Sequence, residues 1–355
     1  VELGGLAGTE TVTITGGGTS VTNLNSIASA TTGKITGSVS DNTIAALEGI
    51  TESGNALTIV VKDATVDVTK LAAIAAKTTE TLTVDTTTIT GKLAEINTAI
   101  ASASYTGVKD NNVVVTDAIT AAQQKTLDGA NTGEITATIS DNYLDKLEDI
   151  ADANSKTHKL SITVKGDDST KPTERTVDAA KLVTLEAKLD AGTVLTVDAS
   201  TLSGAIAKIT TLVNKDKTAT TPEISGLDNI AVTITGTKTT AGNTLSAINN
   251  IIEKAGVVTA TMVDKATADG DNAKLDKLIA TSGGLKGTGN KINIEIASDA
   301  TEAGAKDMSA KSLLDLNDMN DLKIADKNFR LDSMVFNLGL SESRAKATDL
   351  IKEGK

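Results

Sequence analysis

The sequence predicts an α/β repeat solenoid: about twelve strand–helix rungs, with a parallel β-sheet on one side and short helices on the other. Three observations predict it. First, TGKITGSVSDN at 32–42 returns as TGEITATISDN at 132–142, with seven of eleven residues identical, and recurrence at a fixed offset is the mark of a repeat architecture. Second, a strand-like phrase ending in Asp is followed again and again by a short helix-like phrase. Third, the only aromatics are Tyr105, Tyr143, Phe329 and Phe336, so the core must be built from Leu, Ile, Val and Ala in thin stacked layers.

The elements follow in order. VTITG (12–16) opens the series. In ITGSVSD (35–41), Ile35, Gly37 and Val39 alternate with Thr36 and Ser38, whereas NTIAALEGI (42–50) places Ile44, Leu47 and Ile50 three apart, as on one helix face. The couplet repeats as LTIVVKD (57–63) with TKLAAIAAK (69–77), and as LTVD (82–85) with KLAEINTAI (92–100). VVVTD (113–117) pairs with ITAAQQKTLDG (119–129), ITATISD (135–141) with YLDKLEDI (143–150), and LSITVKGD (160–167) with AAKLVTLEAKL (179–189). Then come LTVD (195–198) with LSGAIAKITTLV (202–213), VTITG (232–236) with TLSAINNII (244–252), and VTATMVD (258–264) with NAKLDKLIA (272–280). INIEIASD (292–299) with AKSLLDLND (310–318) and a last strand, LKIAD (322–326), complete twelve rungs.

A longer period overlies these rungs, because every fourth one matches best. VTITG at 12 returns at 232, LTVD at 82 returns at 195, and TGEITATISD is echoed by AGVVTATMVD from Ala255. The expected organisation is three super-repeats of four rungs, over 1–107, 108–227 and 228–355, the last ending in a divergent cap or interface after about residue 300.

Helices of about ten residues fall below the roughly 12–15 at which an isolated helix becomes even marginal in water, so each rung needs its neighbours. Strands joined by crossover helices run parallel. A parallel sheet covered on both faces reads as continuous apolar runs, but these strands alternate. The expected outer face is therefore open, carrying Thr58, Thr83, Glu134, Thr136, Thr138, Ser161, Thr163, Thr196, Thr233, Thr259, Thr261, Asn293 and Glu295.

The formal charge of −12 and the scattered lysines argue against a nucleic-acid partner. No apolar run approaches the roughly 18 residues of a membrane span, and the N-terminus lacks the layout of a signal peptide. The opening Val1 points to a processed protein or a piece of a longer one. With no cysteine, disulfides and Cys-ligated zinc are excluded.

An acid closes most strands: Asp41, Asp63, Asp85, Asp117, Asp141, Asp167, Asp198, Asp264, Asp299 and Asp326. The plain expectation is that each caps the helix that follows it. The sharper one is that carboxylates stacked at the inter-strand spacing of about 4.8 Å gather Ca²⁺. Asp167 with Asp168, and Asp264 with Asp269 and Asp271, are the weak Ca²⁺ candidates; neither cluster fits an EF-hand loop. A Thr ladder for ordering ice is outweighed by the ordinary strand propensity of Thr. ITGGGTS (14–20) and TSGGLKGTGNK (281–291) lack phosphate-loop spacing. His158, alone in SKTHKL (155–160), reads as a solvated loop histidine, and sugar-cleaving carboxylate pairs would lack aromatic platforms.

The run GVKDNNVVVTDAITAAQQKTLDGANTGEITATISD (107–141), with TVDTTTITGKLAEINTAIASASYTG (83–107), resembles the Thr- and Asp-rich repeats of giant secreted and cell-surface proteins of marine cyanobacteria. The resemblance covers about residues 10–300. It implies an extracellular structural or surface-layer role, and it brings no catalytic residues. The expectation is a non-catalytic protein at the cell surface that assembles with copies of itself into a layer, sheath or filament. The alternative is an adhesin or phage fibre segment that grips a glycan or cell-surface partner through the open Thr/Asp face. An enzyme comes third.

Overall fold

Polar corners recur after almost every short apolar run in this chain, and they set how its backbone turns. The structure, a computed structural model, describes residues 8–152, 157–190, 192–215, 223–235, 245–264, 290–296 and 323–324. It comprises two units. The first holds residues 1–142, 146–162 and 188–194; the second holds 143–145, 163–187 and 195–355.

In the first unit the chain runs β1 (Val12–Thr13), α1 (Val21–Ala30), β2 (Ile35–Ser38), α2 (Ile44–Leu47), β3 (Ala56–Thr58), β4 (Val60–Val61), β5 (Thr65–Asp67) and α3 (Val68–Ala75). It continues through β6 (Leu82–Val84), β7 (Thr88–Gly91), α4 (Leu93–Ala101), β8 (Tyr105–Thr106), β9 (Asn112–Val115), α5 (Ala121–Ala130) and β10 (Ile135–Thr138). The elements α6 (Leu144–Leu147) and β11 (Lys159–Val164) each contribute residues to both units. Neighbouring strands are β1-β2-β3, β4-β6-β8 and β5-β7-β9-β10-β11.

All of these pairs are parallel, and each strand lies beside one roughly two dozen positions further along. Val12 faces Ile35, Thr36 faces Ala56, Leu82 faces Tyr105, Thr88 faces Asn112, Ile135 faces Val113 and Thr136 faces Lys159.

The second unit contains β12 (Thr176–Asp178), α7 (Ala179–Glu186), all but the first residue of β13 (Val194–Val197), β14 (Thr201–Gly204), α8 (Ile206–Lys215), β15 (Glu223–Ser225), β16 (Ala231–Ile234), α9 (Leu245–Ile252), β17 (Val258–Asp264), β18 (Lys291–Ile296) and β19 (Lys323–Ile324). Its six-stranded sheet runs β12-β14-β16-β17-β18-β19, again parallel, with Thr176 facing Thr201, Thr201 facing Ala231 and Val232 facing Val258.

The fold is thus mixed α/β. In place of the single sheet expected, the described strands form four parallel sheets, because the chain turns a corner at its polar residues and starts a second short strand before the helix. Asp85–Thr87 is one such corner: the N–H groups of Thr87 and Thr88 both reach the carbonyl of Ala64, and β7 follows. Three- and four-residue strands such as β5, β7, β12 and β14 are too short for alternation to reveal.

Capping starts the helices. Ser20 accepts the Asn23 N–H, and Thr120 accepts the Gln123 N–H while the Gln123 side chain accepts that of Thr120, a reciprocal capping box. Asp67 and Asp178 cap α3 and α7 themselves.

The buried side chains are mostly aliphatic, with Leu24, Leu47, Leu71, Ile89, Ile96 and Leu127 among the fully enclosed ones. The outward face alternates as expected: Thr58, Thr83, Thr138 and Ser161 are exposed, each flanked by buried Leu, Ile, Val or Ala. Glu134, Thr136, Thr163, Thr196, Thr233 and Thr259 are half-buried. The side chains of Thr261, Asn293 and Glu295 lie outside the described residues. No described helix is long and apolar enough to cross a membrane.

Candidate functional site

Asp67 and Asp178, at the ends of β5 and β12, cap the helices that follow them, but Asp41, Asp63, Asp117 and Asp141 do not. Asp41 Oδ2 accepts the N–H of Val21 at 2.7 Å, Asp63 Oδ2 that of Ile44 at 2.7 Å, Asp117 Oδ1 that of Leu93 at 2.8 Å and Asp141 Oδ2 that of Ala121 at 2.7 Å. Each acceptor stands 19 to 24 positions after its donor, and each donor is the first residue of α1, α2, α4 or α5. A first-turn N–H has no partner inside its own helix. The carboxylate of the next strand meets both that N–H and the positive end of the helix dipole. The reason is geometric: a strand-end side chain beside a parallel neighbour lies over the start of the neighbour's helix.

Two other acids of the series serve differently. Asp85 pairs with Lys62 at 3.7 Å, and Asp198 binds the Arg175 guanidinium. Both are solvent-facing pairs, worth little to stability.

Buried polar residues form a second set of links. Asn55 Oδ1 accepts the N–H of Ile35 at 2.8 Å, His158 Nδ1 accepts that of Ile135 at 3.0 Å, and Asn290 Oδ1 accepts that of Val258 at 2.8 Å. Ile35 and Ile135 begin β2 and β10, and Val258 begins β17, so one task is done at three places by two asparagines and a histidine. Similarly, Thr78 Oγ1 accepts the Leu57 N–H, and Thr193 Oγ1 accepts that of Leu160.

His158 is therefore not the solvated loop residue its neighbours suggest, for it is only 2% exposed. A backbone N–H can only donate, so Nδ1 carries no proton and Nε2 must. Nε2 lies 2.9 Å from Asp128 Oδ1, and the His158 N–H donates to Asp190 Oδ2 at 2.8 Å. A polar residue two positions before the strand's first large apolar residue is the signal that could have found this set: Asn55 before Leu57, His158 before Leu160, Asn290 before Ile292.

Of the Ca²⁺ candidates, Asp167 and Asp168 hold a turn together. Asp167 Oδ1 accepts the Asp178 N–H at 2.9 Å. Asp168 Oδ1 accepts both the hydroxyl of Thr170 at 2.7 Å and its N–H at 2.8 Å, and these bonds hold its carboxyl below the usual range. Asp145 binds the Ser169 hydroxyl and N–H in the same turn. Asp264 ends β17, and Asp269, Asp271, Asp299 and Asp326 lie outside the described residues. Among the described residues no three acidic or histidine side chains gather as a metal site.

No family model, curated protein or solved structure matches the chain. Strand β1 has β2 on one side and, among the described residues, no strand on the other. Val12 and Ile14 donate their N–H groups to Lys34 and Thr36 of the β2 side at 3.0 and 2.8 Å. By alternation along the strand, those of Thr11, Thr13 and Thr15 point away from it.

Proposed function

We propose that this chain is a non-catalytic structural protein of the cell surface, a βα solenoid of about twelve rungs in super-repeats of four, which assembles with copies of itself into a layer, sheath or filament. The observation that carries the reading is the use made of its polar residues. Asp41, Asp63, Asp117 and Asp141 hold the helix of the preceding rung, and Asn55, Thr78, His158 and Thr193 hold the start of the preceding strand. These four carboxylates and the histidine each hold backbone of a neighbouring rung, as a stacked repeat requires. In such an array each rung is stabilised mainly by its neighbours. The extracellular setting and the surface-layer role rest on the resemblance of residues 83–141 to cyanobacterial surface repeats.

Sedimentation velocity of the purified chain over a range of concentrations tests the assembly. Growth into large species supports it. A chain that stays monomeric at every concentration and is retained on a glycan column would replace it with the adhesin reading.

A further inference from the structure

Hydrogen bonds between neighbouring parallel segments divide unequally by direction. The strand ladders bind a segment on both sides: Val39 donates its N–H to Thr58 of the next segment, and Ser40 donates to Thr19 of the one before. Side chains do not share this symmetry. The first N–H of α1, α2, α4 and α5, and an N–H at the first or second residue of β2, β3, β10, β11 and β17, are each accepted by a side chain 19 to 33 positions later, in the segment that follows.

Among the described residues four such links run the other way, to the N–H groups of Thr51, Glu134, Ala151 and Ser169, and none of these residues lies in a helix or strand. The forward acceptors are carboxylates, amides, hydroxyls and one imidazole, so what recurs is the direction and not the residue type. A first-turn N–H has no partner in its own helix, and a buried N–H left unpaired costs its full desolvation. A segment is therefore unfinished at its helix and strand starts until the next one is in place.

We propose that the fold is completed in one direction, each segment being finished by side chains of the next, so that opening of one segment loosens the one before it more than the one after. The order is that in which a chain is synthesised, N-terminal end first. The inference concerns the single chain and stands whether or not copies assemble.

The test uses the full chain. Ile44 and Leu93 are matched probes: each is buried, each opens a helix, α2 or α4, and each donates its N–H to a carboxylate of the following segment, Asp63 or Asp117, at 2.7 or 2.8 Å. Between them α3 packs against both helices, and its Leu71 is fully buried. Leu71→Ala opens a cavity in the segment that supplies Asp63 and not in the one that supplies Asp117. Native-state hydrogen exchange reads such local opening. Exchange should accelerate at Ile44 by about tenfold more than at Leu93, the change expected when a buried N–H loses its acceptor. Ile35, held by Asn55 of the same segment, should follow Ile44. Ile74→Val, a smaller deletion in the same helix, gives the same comparison should Leu71→Ala not fold. An equal change at Ile44 and Leu93, or a larger one at Leu93, would overturn the one-way completion.

Discussion

The imidazole of His158 joins two elements of the first unit: Nδ1 accepts the N–H of Ile135 at 3.0 Å, while Nε2 lies 2.9 Å from Asp128 Oδ1. The first bond is the one Asn55 makes to Ile35, so asparagine is the natural replacement. We expect His158→Asn to keep the link to β10 and to cost about 1 kcal/mol, and His158→Ala to leave the buried Ile135 N–H unpaired and cost about 1–3 kcal/mol more. Urea denaturation measures the order. Nitrogen-15 shifts of the ring should report the Nε2–H tautomer, and an Nδ1–H ring would contradict the geometry.

Removal of the Asp141 carboxylate should act at a distance in sequence. In Asp141→Ala the first N–H of α5, on Ala121, loses its acceptor, at a cost of about 0.5–2 kcal/mol, as for other caps. Hydrogen exchange of the α5 first turn should accelerate. The Leu144 N–H, which begins the helix right after Asp141, should keep its protection because it donates to Gly166. Faster exchange at Leu144 with Ala121 unchanged would restore the simpler idea that each acid caps its own helix.

Asp67 supplies a pH dependence. The Thr69 hydroxyl, the N–H groups of Thr69 and Lys70 and the nearby Lys70 charge hold its carboxyl below its ordinary value, against a smaller opposing effect of burial. A lowered folded-state value means that its contribution to stability is complete above the unfolded carboxyl's range and is lost as the pH falls through the folded value. Replacement by Ala should therefore cost about 0.5–2 kcal/mol at neutral pH. Its cost should shrink on acidification below the ordinary carboxyl range, as read from urea midpoints at successive pH values.

Two glycines should respond in opposite directions to alanine. Gly107 has φ 89°, and a Cβ there would sit 2.2 Å from the Val84 carbonyl oxygen, so Gly107→Ala should lose at least about 1–3 kcal/mol. Gly129 lies within α5 with open space around it, and Gly129→Ala should gain about 0.5–1 kcal/mol. Thermal melts distinguish the two directly.

How much of this was legible depends on how far each residue reaches. The alternation at Ile35–Ser38, Leu82–Val84 and Ile135–Thr138 and the helix faces of Ile44 and Leu47 are local, and the structure places strands and helices there. The second strands β7 and β14 were hidden because three or four residues rich in Thr read equally as a turn. The roles of Asp41 and Asp141 were hidden for a different reason: their donors lie about twenty residues back in the chain, and a neighbouring helix offered a nearer, familiar partner. His158 looked solvated because the residues before it are polar, yet its burial is decided by Asp128 and Ile135, which come from other elements.

Electron microscopy of the purified chain, with and without added Ca²⁺, would show self-assembly outright. Filaments or sheets built from stacked copies are expected, present without Ca²⁺ because Asp41, Asp63, Asp117, Asp141 and Asp167 already accept backbone N–H groups. Uniform single particles in both conditions would contradict it.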